Sequence, residues 1–180
     1  MLNNINLEAL NEFAQSMTDD PKEGIAALGV VANWKSGVKS TVTTLPRKIG
    51  SKAVNKQFSF EVGEPEELLG DDLTPMPHDY LLGGMASCMM VTYVALATKR
   101  GLKLDSVKII IRGDLDFAGF MEVNPDASVG YEKLDFNFEV TGKGTQEEFM
   151  AIAEHVRKIS PAYRTIADEV DVVFNKQLSE

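Results

Sequence analysis

The chain has 180 residues, 44% of them hydrophobic and 25% charged, a composition that excludes disordered, collagen-like and repeat architectures. Its 18 Lys and Arg against 27 Asp and Glu leave a net charge of -9, which argues against binding to phosphate backbones or anionic membrane surfaces. A single cysteine, Cys88, excludes an intrachain disulfide framework and a CxxC zinc site, and suits a reducing, cytoplasmic setting.

Leu2, Ile5, Leu7, Leu10, Phe13 and Met17 recur at helical spacing, and Thr18-Asp19-Asp20-Pro21 stops the run. Four acidic residues within Met1 to Asp20, with no basic residue ahead of an apolar core, do not make a signal peptide. From Ile25 to Phe60, β-branched and alternating residues predict two or three antiparallel strands around Val30–Trp34, Val38–Thr44 and Phe58–Phe60. Gly37 and the stretch from Pro46 to Asn55 are read as breaks. Residues 63–77, with five carboxylates followed by Pro75 and Pro77, read as a connecting loop.

Pro77 is well placed to open a long helix, which Lys99, Arg100 and Gly101 close. Its stretch from Leu81 to Ala97 is uncharged for 17 residues, yet it carries Gly83, Gly84, Ser87, Cys88 and Thr92. A membrane span wants about 20 apolar residues, so the expectation is a helix buried in soluble protein, covered in part by a second subunit. Strands are predicted over Leu104–Asp116 and Tyr131–Thr141. Thr145 caps a further helix with Glu148 as its capping-box partner, Ser160-Pro161 ends it, and a turn near Tyr163 to Ala167 leads to a last strand over Val170–Phe174. The order fits an α+β fold with segregated antiparallel sheets. Residues 1–20 are read as a helical extension and 21–180 as one domain.

No GxGxxG, P-loop, GxSxG or HExxH is present, and the two histidines lack metal-ligand spacing, so neither cofactor nor metal is expected. Cys88 lies about three turns into the long helix, beyond reach of the N-terminal dipole. Taken alone it reads as packing, and reactivity would need a cation from another element. Gly83 and Gly84, with Ser87 and Cys88 four residues on, allow another backbone to approach. The approach is either tight packing against the chain's own helix or sheet, or a packed helix pair or a gap beside the Cys88 sulfur. Met85, Met89 and Met90 suit an adaptable core or an apolar substrate.

The run Gly70-Asp71-Asp72, then Pro75-Met76-Pro77-His78-Asp79-Tyr80-Leu81-Leu82, then Ala86-Ser87-Cys88 resembles the osmotically inducible protein C and organic hydroperoxide resistance superfamily (OsmC/Ohr). Arg100-Gly101, the strand from Leu104 to Arg112 and Ser160-Pro161 fall where that pattern puts them, and the resemblance spans Ile25 to Phe174. It implies an intertwined homodimer whose sheets enclose long central helices, with sites at the interface. It further implies a peroxidatic cysteine that reduces organic hydroperoxides in defence against oxidative stress. Cys88 matches that cysteine. The family's resolving cysteine precedes a proline, where this chain has Ser160; counted back without gaps, its glutamate position is His78, beside Asp79. Its activating arginine comes from the N-terminal strands, where Arg47 is the sole arginine.

The expected machinery is therefore Cys88 as attacking thiolate, His78 or Asp79 orienting it, and Arg47 activating it. Met85, Met89, Thr92 and Ser160 are expected at the substrate, and a small external thiol or dithiol as reductant. The alternative is a degenerate member that binds a small hydrophobic ligand in the dimer-interface pocket with Cys88 as lining, and a third reading is a structural or interaction role for the acidic surface.

Overall fold

A computed structural model describes residues 1–168 and 170–173. Helix α1 spans Leu7–Asp19, and Asn6 caps it by accepting from the Ala9 N–H at 3.2 Å. Leu2 and Ile5, which the periodicity placed in the helix, precede that cap, where Asn3 and Asn4 adopt positive φ. The chain falls into two compact units, the first comprising residue 1 and Asn3–Gly83, α1 included, the second residue 2 and the chain from Gly84 on.

The first unit holds two three-stranded antiparallel sheets. In one, β2 (Val30–Ser36), β3 (Lys39–Thr44) and β6 (Ser59–Val62) pair in the order β2-β3-β6. Registers such as Ala32↔Val42 and Val42↔Phe60 put Val30, Ala32, Trp34, Val42, Phe60 and Val62 on a common face, as alternation in the sequence requires. The other sheet pairs β1 (Ala26–Ala27), β4 (Arg47–Ile49) and β5 (Lys52–Val54). This corrects the expectation of a break over residues 46–55: Gly50, at φ +54, lets the chain reverse in two residues, so Ile49 pairs with Lys52. Six strands form where two or three were expected. A 3-10 turn at Glu66–Leu68 interrupts the acidic loop.

Helix α2 runs Pro77–Lys99, the 23 residues that the proline and the terminal glycine predicted. Gly101, at φ +74, closes it: the Gly101 N–H donates to the Thr98 carbonyl and the Leu102 N–H to the Ala97 carbonyl. By length and composition alone this helix meets the criterion for a membrane span. A core helix of a water-soluble protein meets the same criterion.

In the second unit, β7 (Lys103–Arg112) pairs antiparallel with β8 (Asp135–Lys143), with a register shift between Leu104 and Ser106. Between them, Asp116 caps the short helix α3 (Phe117–Phe120). Thr145 and Glu148 form the predicted capping box of α4 (Gln146–Ile159), at 3.2 and 2.8 Å. The expected turn after Pro161 is a helix, α5 (Pro161–Ala167). Among the described residues the last strand is not formed: residues 170–173 are irregular, with Val172 and Val173 exposed, and Phe174 lies outside the described residues.

The core of this unit is where α2 and α4 meet the sheet. Met85, Met89, Tyr93 and Ala97 recur every four residues along α2 and bury against Ile152, Ala153 and Val156 of α4. Leu104, Val107, Ile109, Ile111, Phe136, Phe138 and Val140 supply the sheet side. Tyr93 is fully buried; its ring lies 5.2 Å from that of Phe138, and its hydroxyl donates to the Phe149 carbonyl at 3.0 Å. Removal from water pushes its hydroxyl up to about 12.

Candidate functional site around Cys88 and Ser160

Cys88 sits in mid-α2 and is partly buried. One residue on, Met89 faces the core, and one turn on, the Thr92 hydroxyl donates to the Cys88 carbonyl at 2.9 Å. Thr92 therefore spends its hydroxyl on its own helix, as threonines in helix interiors do. Met85 and Met89, 3% and 0% exposed, belong to the packed core beneath the cysteine.

Ser160 is the junction between α4 and α5. Extended at φ -72 and ψ 118, it separates the helices, and Pro161 opens the second. Its N–H donates to the Val156 carbonyl at 2.8 Å, and its carbonyl accepts from the Arg164 N–H at 3.0 Å. A serine here would ordinarily cap α5 by accepting an amide N–H. Ser160 makes no such bond; it is fully buried, and its hydroxyl donates to Cys88 Sγ at 3.5 Å. The structure thus joins two residues 72 positions apart that the sequence placed in the same site.

The other expected residues lie in the first unit. Arg47 is on β4, opposite Val54 and half-buried. His78 is in the first turn of α2 and half-buried. Asp79 closes the start of α2: its Oδ2 accepts from the Met76 N–H and its own N–H donates to the Met76 carbonyl, both at 3.0 Å. That is the reciprocal bond of a capping box, with the carboxylate near the positive end of the helix dipole. Tyr80 stacks on Phe60 at 4.6 Å and donates to the Glu61 carbonyl at 2.7 Å. Apart from the chain neighbours and the helix's own backbone, no described atom lies within 4 Å of where a Cβ would stand on Gly83 or Gly84, so the glycines are not explained by tight packing against another element.

A feature the sequence reading missed is a groove of about 760 Å³ in the second unit, between β8 and α4. Phe136, Phe138, Phe149, Met150 and Arg157 are among the residues that line it. Bonding to the Tyr163 side chain and the nearby Glu154 carboxylate hold that arginine's proton more firmly than usual. The signal was present in the spacing of Phe149, Ala153 and Arg157 along α4.

The long helix and the antiparallel sheets define an α+β fold in which a mid-helix cysteine meets a buried serine at a helix junction. The family model of OsmC-like protein matches residues 70–175, and the chain belongs to that family. Among solved structures, it is similar to an OsmC-like protein from Mycoplasma pneumoniae, at 18% identity and a TM-score of 0.61, covering 78% of this chain and 87% of that one. An OsmC-like protein of unknown function from Vibrio cholerae matches at 11% identity and a TM-score of 0.60, over 78% and 94% of the two chains. The organic hydroperoxide resistance protein of Bacillus subtilis matches at 15% identity and a TM-score of 0.50, over 81% and 93%. These likenesses show the fold. A search of curated proteins by sequence found no match.

Proposed function

We propose that the protein is a one-cysteine organic hydroperoxide reductase that draws its resolving thiol from outside the chain. The observation that carries this reading is the Ser160 hydroxyl donated to Cys88 Sγ: a buried hydrogen-bond donor held on the sulfur by backbone bonds on both of its sides. A hydroxyl so directed supplies the sulfur with a hydrogen-bond donor from inside the protein. The name of the Bacillus subtilis relative supports a hydroperoxide as the substrate class.

In the first step the Cys88 thiolate attacks a peroxide oxygen. The S–O bond forms as the O–O bond breaks, sulfur is oxidised to a sulfenic acid, and the alkoxide takes a proton from solvent and leaves as an alcohol. In the second step an external thiol attacks the sulfenic sulfur and water leaves, giving a mixed disulfide. A second thiol attacks that disulfide, restoring Cys88 and releasing the oxidised reductant. With no other cysteine in the sequence, no internal thiol can take this role.

Arg47, His78 and Asp79 are proposed to activate and orient the thiolate, and Thr92 and Ser160 to lie on the substrate side, over the packed core that Met85 and Met89 help to form. The Asp79 carboxylate also caps α2, so its replacement would act on the helix as well as on chemistry. The working unit is proposed to be a homodimer in the cytoplasm. Gly83 and Gly84 open to space, with Leu81 48% and Val91 70% exposed, leave an apolar helix surface for a second copy to cover.

A second reading, binding of a small hydrophobic ligand, draws on the apolar groove between β8 and α4, whose volume suits such a molecule. Steady-state consumption of cumene hydroperoxide with dithiothreitol separates the two. Turnover that disappears in Cys88→Ser supports the reductase; turnover equal in both proteins refutes it.

A further inference from the structure

We propose that Ser160 is a positioning residue for the oxidised state, whose hydroxyl holds the Cys88 sulfenate and protects it from a second peroxide until an external thiol arrives. This rests on the reductase reading and adds to it a reason for a buried serine at the α4–α5 junction. Serine at the start of a helix normally turns its oxygen to the helix amides. Ser160 forgoes that bond, although Pro161 follows it and α5 begins there, and aims its hydroxyl 3.5 Å away at the sulfur. Fully buried, its hydroxyl is shielded from bulk solvent and its hydrogen-bond partner is the sulfur. Its backbone is held at both ends, by Val156 and Arg164, so the hydroxyl has a fixed origin.

The chemistry follows from where electrons sit. Over-oxidation occurs when the sulfenate sulfur attacks a second hydroperoxide: a second S–O bond forms, the O–O bond breaks, sulfur becomes a sulfinate, and an alcohol is released. A hydrogen bond donated to the sulfenate draws charge from it and lowers its nucleophilicity. Attack by an external thiol on the sulfenic sulfur is not opposed by the same bond, because sulfur is then the electrophile. Ser160 would therefore favour the recoverable state over the irreversible one.

The test treats reduced wild type, Ser160→Ala and Ser160→Cys with increasing cumene hydroperoxide in the absence of thiol, and follows intact mass. Thermal unfolding confirms that all three fold. The wild type should gain one oxygen atom, keep it, and lose it on addition of dithiothreitol. Ser160→Ala should gain the second oxygen at about one tenth of the hydroperoxide concentration, the factor that one hydrogen bond to a charged group carries at its lower end. Ser160→Cys should lose two hydrogen atoms to an intrachain disulfide, because position 160 faces the sulfur.

Equal hydroperoxide concentrations for the second oxygen in wild type and Ser160→Ala would overturn the proposal and leave the reductase standing. Oxidation of Cys88 in Ser160→Cys without a disulfide would overturn it also, by showing that the side chain does not face the sulfur in solution. A wild type that gains no oxygen would overturn the reductase reading and this proposal with it.

Discussion

Tyr93 and Met89 lie on the same buried stripe of α2, and the structure assigns them very different costs of replacement. Tyr93→Phe keeps the ring, its 5.2 Å approach to Phe138 and the burial; it removes only the hydroxyl donated to the Phe149 carbonyl at 3.0 Å. That carbonyl lies inside α4, where the amide four residues on supplies a second donor, so no buried acceptor is left bare. The loss is then that of one ordinary hydrogen bond, about 1 kcal/mol. Met89→Ala removes a side chain that is 0% exposed and packed between helix and sheet, and the transfer and cavity terms together cost about 2–5 kcal/mol. Urea unfolding measures both, with the midpoint moving and the slope unchanged if each substitution acts on the folded state alone. Equal losses in the two variants, or a loss below about 0.5 kcal/mol for Met89→Ala, would refute this account of the core.

Thr145→Ala removes half of the capping box of α4 and should cost about 0.5–2 kcal/mol in the same assay. Because burial raises the Tyr93 hydroxyl to about 12 from its ordinary 10, the folded chain holds that proton more tightly than the unfolded one. Its contribution is complete below pH 10 and is lost as pH rises from 10 toward 12, so wild type should lose more stability over that window than Tyr93→Phe does. A Cβ at Gly84 would meet nothing within 4 Å beyond its chain neighbours and its own helix backbone, so Gly84→Leu should preserve circular dichroism while lowering the solution mass from dimer to monomer. A monomeric wild type at micromolar concentration would contradict the proposed assembly.

Elements whose signals are local were legible in the sequence. Pro77 and Gly101 bracket α2 because proline pre-sets a first helical turn and glycine permits the left-handed residue that ends one. Thr145 and Glu148 announced α4 through their spacing alone. The hairpin of β4 and β5 was missed because three-residue strands are too short for alternation to show, and Gly50 and Ser51 were read as loop when they are only its turn. The α5 helix was missed for a related reason: Pro161, taken as an end, is also a favoured beginning. At the site, the family pattern set Cys88 and Ser160 together, but the direction of the serine hydroxyl depends on how α4 packs on α2, a tertiary fact that no local pattern carries.

The central claim is that Cys88 is a peroxidatic thiolate resolved from outside, and the consumption of cumene hydroperoxide by the reduced protein tests it most directly. With dithiothreitol present, wild type should turn over repeatedly; without it, each chain should consume about one equivalent and stop, since one sulfur supplies one sulfenic acid. Cys88→Ser should consume none. Consumption by wild type no faster than by an equal concentration of free cysteine would contradict the claim and leave the fold as a scaffold for binding.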